Sequence, residues 1–161
     1  MRKHVLQCIG LSKYTLDDIL VKSRDRSEDV RKACFALLCE KVDIEKLTVT
    51  QRGSLLKDGL CDRDEGVKNS AIQMCDTWFT KMGEDPIKFL RCLDIEENEE
   101  IAEIAVRALL ASRENITINI TVDDIDRETA LFWRLYCENL KQVKVRRNFQ
   151  EISHIIRMKK H

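Results

Sequence analysis

The sequence predicts an all-α fold, a HEAT-type α-helical repeat solenoid, and three observations support this prediction. Five glycines and one proline in 161 residues leave few places to break a helix. Apolar residues make up 43% of the chain and charged residues 35%, a balance typical of amphipathic helices with one solvated face. One amphipathic segment also recurs along the chain at a spacing typical of helical repeats.

The recurring segment begins at Met1, Val30, Val67 and Ile101, so the copies lie 29, 37 and 34 residues apart. Apolar residues mostly fall at positions i, i+3, i+4, i+7 and i+8, which form one face of an α-helix. The second copy shows this spacing with Val30, Ala33, Cys34, Leu37 and Leu38. Each copy is therefore predicted to be the second, longer helix of a helical hairpin.

A shorter helical pattern precedes each of the last three copies. The first begins at Thr15, and Thr15-Leu-Asp-Asp18 has the spacing of a capping box. The second begins near Thr48, with Gln51 three residues later, and the third begins at Asp85-Pro86 with an N-cap acid before a proline. A short helix, an acidic turn and a longer helix form the HEAT pattern. Capped turns interrupt it every ~15 residues, which excludes a heptad coiled coil.

The domain organisation follows from these patterns. Residues 1–114 are predicted to be HEAT repeats, the first lacking its first helix, as expected for an interior slice of a longer solenoid. Residues 115–125 alternate β-branched and polar side chains and are predicted to be an irregular connection. Residues 126–161 are predicted to be a further helical hairpin with a basic C-terminal tail. Its first helix begins after an N-cap at Asp126, with its inward face formed by Ala130, Trp133, Cys137 and Leu140.

The seven cysteines predict neither a disulfide framework nor a zinc site. They form no C-x-x-C pair, and their number is odd. Reduced cysteines that act as small hydrophobic residues fit this spacing, and they indicate the cytosol or nucleus. No apolar run approaches the length of a membrane span, and the N-terminus has no signal-peptide pattern.

The sequence also predicts that the chain is not an enzyme and holds no cofactor or metal. Its three histidines, His4, His154 and His161, have no nucleophile placed beside them by any motif. No glycine-rich phosphate loop is present. The acidic run between residues 94 and 103 lacks the alternating ligands and central glycine of a calcium loop, and it fits a solvated helix start.

Basic residues at equivalent repeat positions are the candidate binding residues. They directly follow the first apolar residue of the repeated helix, and a second basic cluster ends the chain. The candidates are Arg2, Lys3, Arg31, Lys32, Lys68, Arg146 and Arg147. Stacking would align the repeat positions into a stripe, which suits sequence-independent contact with phosphates. The stripe ends at the fourth copy, which has Ala102 and Glu103. A structural role is the alternative, because an arginine at this position often pairs with the acidic turn before it.

Four segments of the sequence together resemble the HEAT domain of the condensin G subunit family. They are VRKACFALLCEKV (30–42), TQRGSLLKDGLCDRDEGVKNS (50–70), FLRCLDIEENEEIAEIAVRALL (89–110) and ETALFWRLYCENLK (128–141). The resemblance covers residues 15–141 and fades in the tail from Gln142.

This resemblance implies a non-catalytic scaffold in mitotic chromosome condensation, found in the nucleus, on chromosomes and in the cytoplasm. In that family the solenoid is held by the kleisin (H) subunit and binds double-stranded DNA without sequence specificity. Separate SMC subunits hydrolyse ATP, so their link to this chain would be indirect, and no membrane or small-molecule substrate is implied. The alternative is a HEAT- or armadillo-like adaptor that binds only protein, as in transport or phosphatase scaffolding.

Overall fold

The computed structural model describes the backbone of residues 2–10, 12, 14–113, 116 and 126–158, and the same side chains except those of residues 2, 3, 7 and 144–158. All the regular secondary structure in this part of the chain is helical, and it contains no β-strand, which confirms the predicted all-α fold. Its α-helices are α1 (Arg2–Cys8), α2 (Leu16–Leu20), α3 (Glu28–Lys41), α4 (Val49–Leu60), α5 (Glu65–Lys81), α6 (Pro86–Leu93), α7 (Ile95–Ser112) and α8 (Arg127–Met158). Two 3₁₀ turns, Val21–Arg24 and Ile44–Lys46, follow α2 and α3.

The helices form hairpins that stack in two layers. Helix α2, with its 3₁₀ turn, pairs with α3, α4 pairs with α5, and α6 pairs with α7. The second helices pack side by side, because α3 contacts both α1 and α5, and α5 contacts α7. In the other layer, α4 lies between the Val21–Arg24 turn and α6. Helix α8 closes the described part of the stack by packing on both α6 and α7.

One continuous hydrophobic core runs through the stack. Large side chains from successive hairpins are fully buried in it, among them Phe35, Leu56, Trp78, Phe89 and Phe132. The Trp78 indole N–H donates to the carbonyl oxygen of Val42 at 2.8 Å, so its polar atom is satisfied. Burying such a side chain contributes about 1.5–3 kcal/mol. A single hairpin leaves one face uncovered, so the stacked neighbours supply the burial that each hairpin lacks.

Helix N-termini confirm two of the predicted caps and correct a third. Thr48 and Gln51 form a complete capping box at the start of α4. The Asp85 carboxylate accepts the N–H groups of Ile87 and Lys88 ahead of α6. The capping box predicted at Thr15 is wrong, because the Thr15 hydroxyl donates to the Gly10 carbonyl oxygen at 2.8 Å and caps nothing. Since α2 has only five residues, tertiary contacts hold it in place.

The last element is a single helix, α8, where the sequence predicted a hairpin. The chain contains no glycine or proline after Pro86, so no residue of either type interrupts this helix. Asp126 precedes it as predicted, and its carboxylate accepts the Thr129 N–H at 2.8 Å. Of the predicted connection 115–125, only Ile116 falls within the described residues, and its side chain packs against the core.

Helix α8 turns the opposite face inward from the one predicted. Leu131, Phe132 and Leu135 are buried against the preceding hairpin. The predicted inward residues are exposed, and they are Ala130, Trp133, Cys137 and Leu140. Both stripes have helical spacing, so the pattern alone did not distinguish them. Packing on α6 and α7 selects the stripe that contains Phe132.

Candidate nucleic-acid interface

The candidate interface lies where the first helix of each hairpin turns into the second. We define the turn edge as residues 24–27 and 61–64 together with the first turn of the helices they precede, α3 and α5. An Asp-Arg pair stands at equivalent places in both turns, because Asp25-Arg26 and Asp62-Arg63 lie 37 residues apart. A groove of about 360 Å³ opens between the two turns. Its lining is almost entirely charged and consists of Ser23, Arg24, Asp25, Arg26, Arg31, Asp58, Asp62 and Arg63.

Arg31 forms the base of this groove and is not available at its surface. Its side chain is only 7% exposed, and the guanidinium donates from Nε and Nη2 to the two oxygens of Asp62 at 2.7 and 2.9 Å. Nη1 donates to the carbonyl oxygen of Asp25 at 2.9 Å. Arg31 therefore joins its own turn to the turn of the next hairpin. The sequence allowed a structural role in which this arginine pairs with the acidic turn before it. The structure gives Arg31 a structural role, but its carboxylate partner, Asp62, lies in the turn of the following hairpin.

The Arg31–Asp62 pair shifts the pKa of both groups. Hydrogen bonding to Asp62 raises the pKa of Arg31. Burial by itself raises the pKa of Asp62, but the hydrogen bonds from Arg31 and from the Asp64 N–H outweigh it and leave that pKa lowered. Both side chains therefore stay charged at neutral pH. Their charges compensate each other, so the base of the groove attracts anions less than its arginine content indicates.

Lys32 and Lys68 lie on the rim of the turn edge and are accessible. The Lys32 Nζ is 3.0 Å from Asp64 Oδ1, with 36% of the lysine side chain exposed. The Lys68 Nζ is 2.6 Å from Glu65 Oε1 on the same helix, with 33% exposed. Both pairs are solvated, so either ammonium group can exchange its carboxylate for a phosphate at small cost.

Arg26 and Arg63 are the residues that the sequence analysis missed. Both side chains are exposed, and neither makes a hydrogen bond or ion pair within the described residues. Arg24 stands beside them, 68% exposed, with its Nε 2.9 Å from both oxygens of Asp58. The repeated Asp-Arg dipeptide was the signal available in the sequence. It lies before the first apolar residue of the second helix, outside the basic positions that define the predicted stripe.

The remaining candidate residues lie outside the described side chains, and the fourth copy of the repeat carries no cation at the equivalent positions. The side chains of Arg2, Lys3, Arg146 and Arg147 lie outside the described side chains, so their DNA contact stays a prediction. At the fourth copy, Ala102 is fully buried. Glu103 accepts hydrogen bonds from Arg107 and Arg134. Helix α7 therefore presents no free cation at the equivalent position.

The described residues contain no candidate metal centre. Among them, no three histidine, cysteine or acidic side chains converge on a point where a metal ion would fit. Cys34 and Cys75 are buried, and burial raises the pKa of each thiol to about 12, so neither is a reactive thiolate. None of the described helices has the length and apolar character needed to cross a bilayer.

Comparison with known proteins supplies the family. Condensin complex subunit 3 of Xenopus laevis is 34% identical over 154 residues, 88% of this chain, and the human protein of the same name is 32% identical over 153 residues. Condensin complex subunit 3 of Schizosaccharomyces pombe is 33% identical over 109 residues. The chain belongs to the condensin subunit 3 family. The resemblance noted in the sequence is thereby confirmed, although no family model matches the chain.

The fold agrees with that of a solved condensin subunit 3 relative. A chain in the crystal structure of the S. pombe condensin Cnd3–Cnd2 subcomplex superposes with a TM-score of 0.79 and 26% sequence identity. The superposition covers 93% of this chain and 20% of that one. This chain spans 15% of the length of the Xenopus and human condensin subunit 3 relatives. The HEAT-type solenoid predicted from the repeats therefore matches the helical repeat of the family.

Proposed function

We propose that this chain is a non-catalytic scaffold segment of condensin that binds duplex DNA through the turn edge and also binds a kleisin. The observation that carries the DNA contact is the alignment of accessible cations in two successive turns, Arg26 with Arg63. Lys32 and Lys68 extend this row along the starts of α3 and α5. The kleisin and the condensin setting are proposed because the chain belongs to the condensin subunit 3 family.

The chemistry of the row favours the phosphate backbone over the bases. Its cations lie in the turns and at the starts of α3 and α5, two helices that pack side by side in the stack. Arginine and lysine held in this way neutralise phosphates and release counterions, whatever the base sequence. Binding should therefore be independent of sequence and strongly weakened by salt.

A titration at two salt concentrations tests the DNA contact. We expect the unmodified chain to bind a fluorescent duplex of mixed sequence at 50 mM salt and to lose affinity steeply at 200 mM. The double variant R26E/R63E should lower the slope of log K against log salt by about 2, because two phosphate contacts are lost. The variant K32E/K68E should act in the same direction. Unchanged binding by both variants would remove the turn edge from the proposal.

Matched controls keep this test specific. Lys41→Glu and Lys88→Glu, combined in one chain, reverse exposed charges at the end of α3 and in the first turn of α6, at the other end of these helices from the turn edge. They alter the net charge as the test variants do, so they should leave the affinity near that of the unmodified chain. Arg31→Glu is unsuitable, because it would break a buried ion pair and destabilise the fold.

The kleisin contact is supported by the Cnd3–Cnd2 subcomplex, in which a related chain is held with a partner subunit. Co-expression of this chain with a kleisin segment tests it, and we expect the two to co-elute in gel filtration. A chain that binds a kleisin but no DNA at low salt would favour the protein-only adaptor that the repeat pattern also allowed. Through its family, the proposed setting is the nucleus and chromosomes, with the cytoplasm as a further site.

A further inference from the structure

Ser27 has an unused hydroxyl in the middle of the turn edge. It is the N-cap residue of α3 and has extended backbone, with φ −90° and ψ 125°. Its side chain accepts no capping hydrogen bond, although its backbone N–H donates to Asp25 Oδ1 at 3.0 Å. The side chain is half-buried, and its Oγ makes no hydrogen bond within the described residues. The hydroxyl can therefore be modified without breaking an interaction of the fold.

The sequence around Ser27 is unusual within this chain. Arg24 stands three residues before it and Arg26 one residue before it. In the full sequence, no other serine or threonine has an arginine or lysine three residues before it. Protein kinases choose their substrates partly by such charge patterns. Both arginines have exposed side chains, so a kinase cleft could reach them.

We propose that Ser27 is a phosphorylation site for an arginine-directed serine/threonine kinase and that its phosphoryl group weakens the turn edge as an anion-binding surface. In this step the Ser27 Oγ attacks the γ-phosphorus of ATP, the bond from that phosphorus to the β–γ bridging oxygen breaks, and ADP leaves. The hydroxyl proton passes to the carboxylate base of the kinase. The second half of the proposal rests on the DNA contact proposed above.

The local charges explain the expected effect. Three cations, Arg24, Arg26 and Arg31, surround Ser27 in sequence, and three acids, Asp25, Glu28 and Asp29, balance them. A phosphoserine adds a charge of about −1.5 to −2, so this segment changes from neutral to anionic. The phosphate would also lie at the start of a 14-residue helix, where the helix dipole favours an anion. The Arg26 guanidinium would then pair with this phosphate and no longer be available to DNA.

The first experiment tests the modification alone. The whole chain is incubated with the cyclic-AMP-dependent kinase, as an arginine-directed probe, and Mg-ATP, and the modified residue is mapped by mass spectrometry. We expect one phosphate on Ser27 and none on Ser27→Ala. Arg24→Ala should slow the reaction at least tenfold. Ser23 should stay unmodified, because its hydroxyl is buried and hydrogen-bonded to Asp58 and to the Leu20 carbonyl oxygen.

Two results of this experiment would overturn the site. One is a folded chain that takes up no phosphate, and the other is equal uptake by the Ser27→Ala variant. Circular dichroism of Ser27→Ala guards against a folding artefact, and we expect an unchanged spectrum because the hydroxyl caps nothing.

The second experiment tests the effect on DNA. Phosphorylated and unmodified chains are titrated with the same duplex at two salt concentrations. We expect phosphorylation to lower the affinity about tenfold at 50 mM salt. It should also lower the slope of log K against log salt by about 1, the effect of one lost phosphate contact. Equal affinities would overturn the regulatory half while leaving the modification site intact. If the unmodified chain binds no DNA, the proposed function and this regulation both fail, and the first experiment still decides the site.

Discussion

The cation that follows the opening valine of a second helix is buried in one hairpin and accessible in the next. Arg31 is buried because the following turn offers it the Asp62 carboxylate. Lys68 makes no such pair with the following turn, where the Asp94 carboxylate accepts the Glu96 N–H and caps α7. Lys68 therefore pairs with Glu65 on its own helix. The next turn, and not the position in the repeat, decides which cations remain available to a ligand.

We expect Asp62→Asn to destabilise the fold by about 3 kcal/mol, because it leaves the buried Arg31 guanidinium without a compensating charge. The asparagine keeps the shape of the side chain, so steric effects are small. Urea unfolding followed by circular dichroism measures the loss. The matched control is Glu65→Gln, which breaks a solvated pair and should leave the urea midpoint unchanged. Equal midpoints for the two variants would contradict a stabilising role for the buried pair.

At the scale of the element, helix α8 has two apolar faces, and only one of them is covered within the described residues. Phe132 is 1% exposed and Trp133 is 40% exposed, although they are neighbours in sequence. Trp133 contacts Tyr136 edge-to-face on the open side, with ring centroids 5.8 Å apart. A helix with apolar residues on both sides is one that covers a neighbour on each side in a stack.

The two aromatic residues of α8 should differ sharply in their contribution to stability. We expect Phe132→Ala to cost about 3–5 kcal/mol, because it opens a cavity between α8 and the preceding hairpin. Trp133→Ala should cost far less, despite removing a larger side chain, since much of that side chain already contacts water. Thermal or urea unfolding of the two variants measures the difference. A larger loss of stability for Trp133→Ala would show that the face of α8 containing Trp133, as predicted from the sequence, is the one that packs inward.

Close packing of α4 on α3 and α5 depends on Gly59. A Cβ atom at this position would lie 2.5 Å from the Ala71 Cβ and 2.7 Å from the Phe35 Cζ. Gly59→Ala should therefore destabilise the fold by a net 1–2 kcal/mol or so, although alanine favours the helix by about 1 kcal/mol. Gly10→Ala is the control, because an added Cβ there meets no atom within 4 Å. A more stable Gly59→Ala variant would show that the neighbouring helices can separate without cost.

At the scale of the molecule, ion pairs join successive hairpins across the stack. Lys81 reaches back to Asp43, and Arg91 reaches forward to Asp126. Arg113 links the end of α7 to Asp76 and Glu84, and its guanidinium lies 5.0 Å from the centre of the Phe79 ring. Each junction between α3 and α8 therefore combines a shared apolar core with charged pairs at its margin.

These pairs predict a fold that loses stability in acid. Among the described residues, five carboxyl groups have a pKa below the ordinary value because hydrogen bonds from cations or from backbone N–H groups favour the charged form, and they are Asp43, Asp62, Asp64, Glu103 and Asp126. A lowered folded-state pKa stabilises the protein above the unfolded value, at about pH 4, and this contribution is lost as the pH falls through the folded value. The urea midpoint should therefore stay level between pH 6 and 8 and fall towards pH 3. The urea midpoint of the Asp62→Asn variant should fall less steeply with pH. A midpoint of the unmodified chain at pH 3 equal to that at pH 7 would contradict the stabilising role of these carboxylates.

Sequence reasoning succeeded where the signal is local or recurrent. The positions of α3, α5 and α7 followed from apolar spacing, and the caps at Thr48 and Asp85 followed from residue type, because each depends on neighbours within one or two turns. It failed at Thr15, because the hydroxyl donates to the carbonyl oxygen of Gly10, five residues earlier, and does not cap the start of α2. It also failed to predict that Arg31 is buried, since its exposure depends on Asp62, 31 residues later in the chain.

The sequence by itself determined that this chain is a stack of helical hairpins with a row of cations where the hairpins turn, because helical periodicity and repeat spacing are written in residue order. It also carried the relation to condensin subunit 3. Only the tertiary structure decided which cations form buried ion pairs and which face solvent. It also decided which apolar stripe of α8 is covered. These outcomes depend on the neighbouring hairpin, whose side chains compete for each apolar face and each charge. That competition buried Arg31 and left Arg26 and Arg63 exposed on the turn edge.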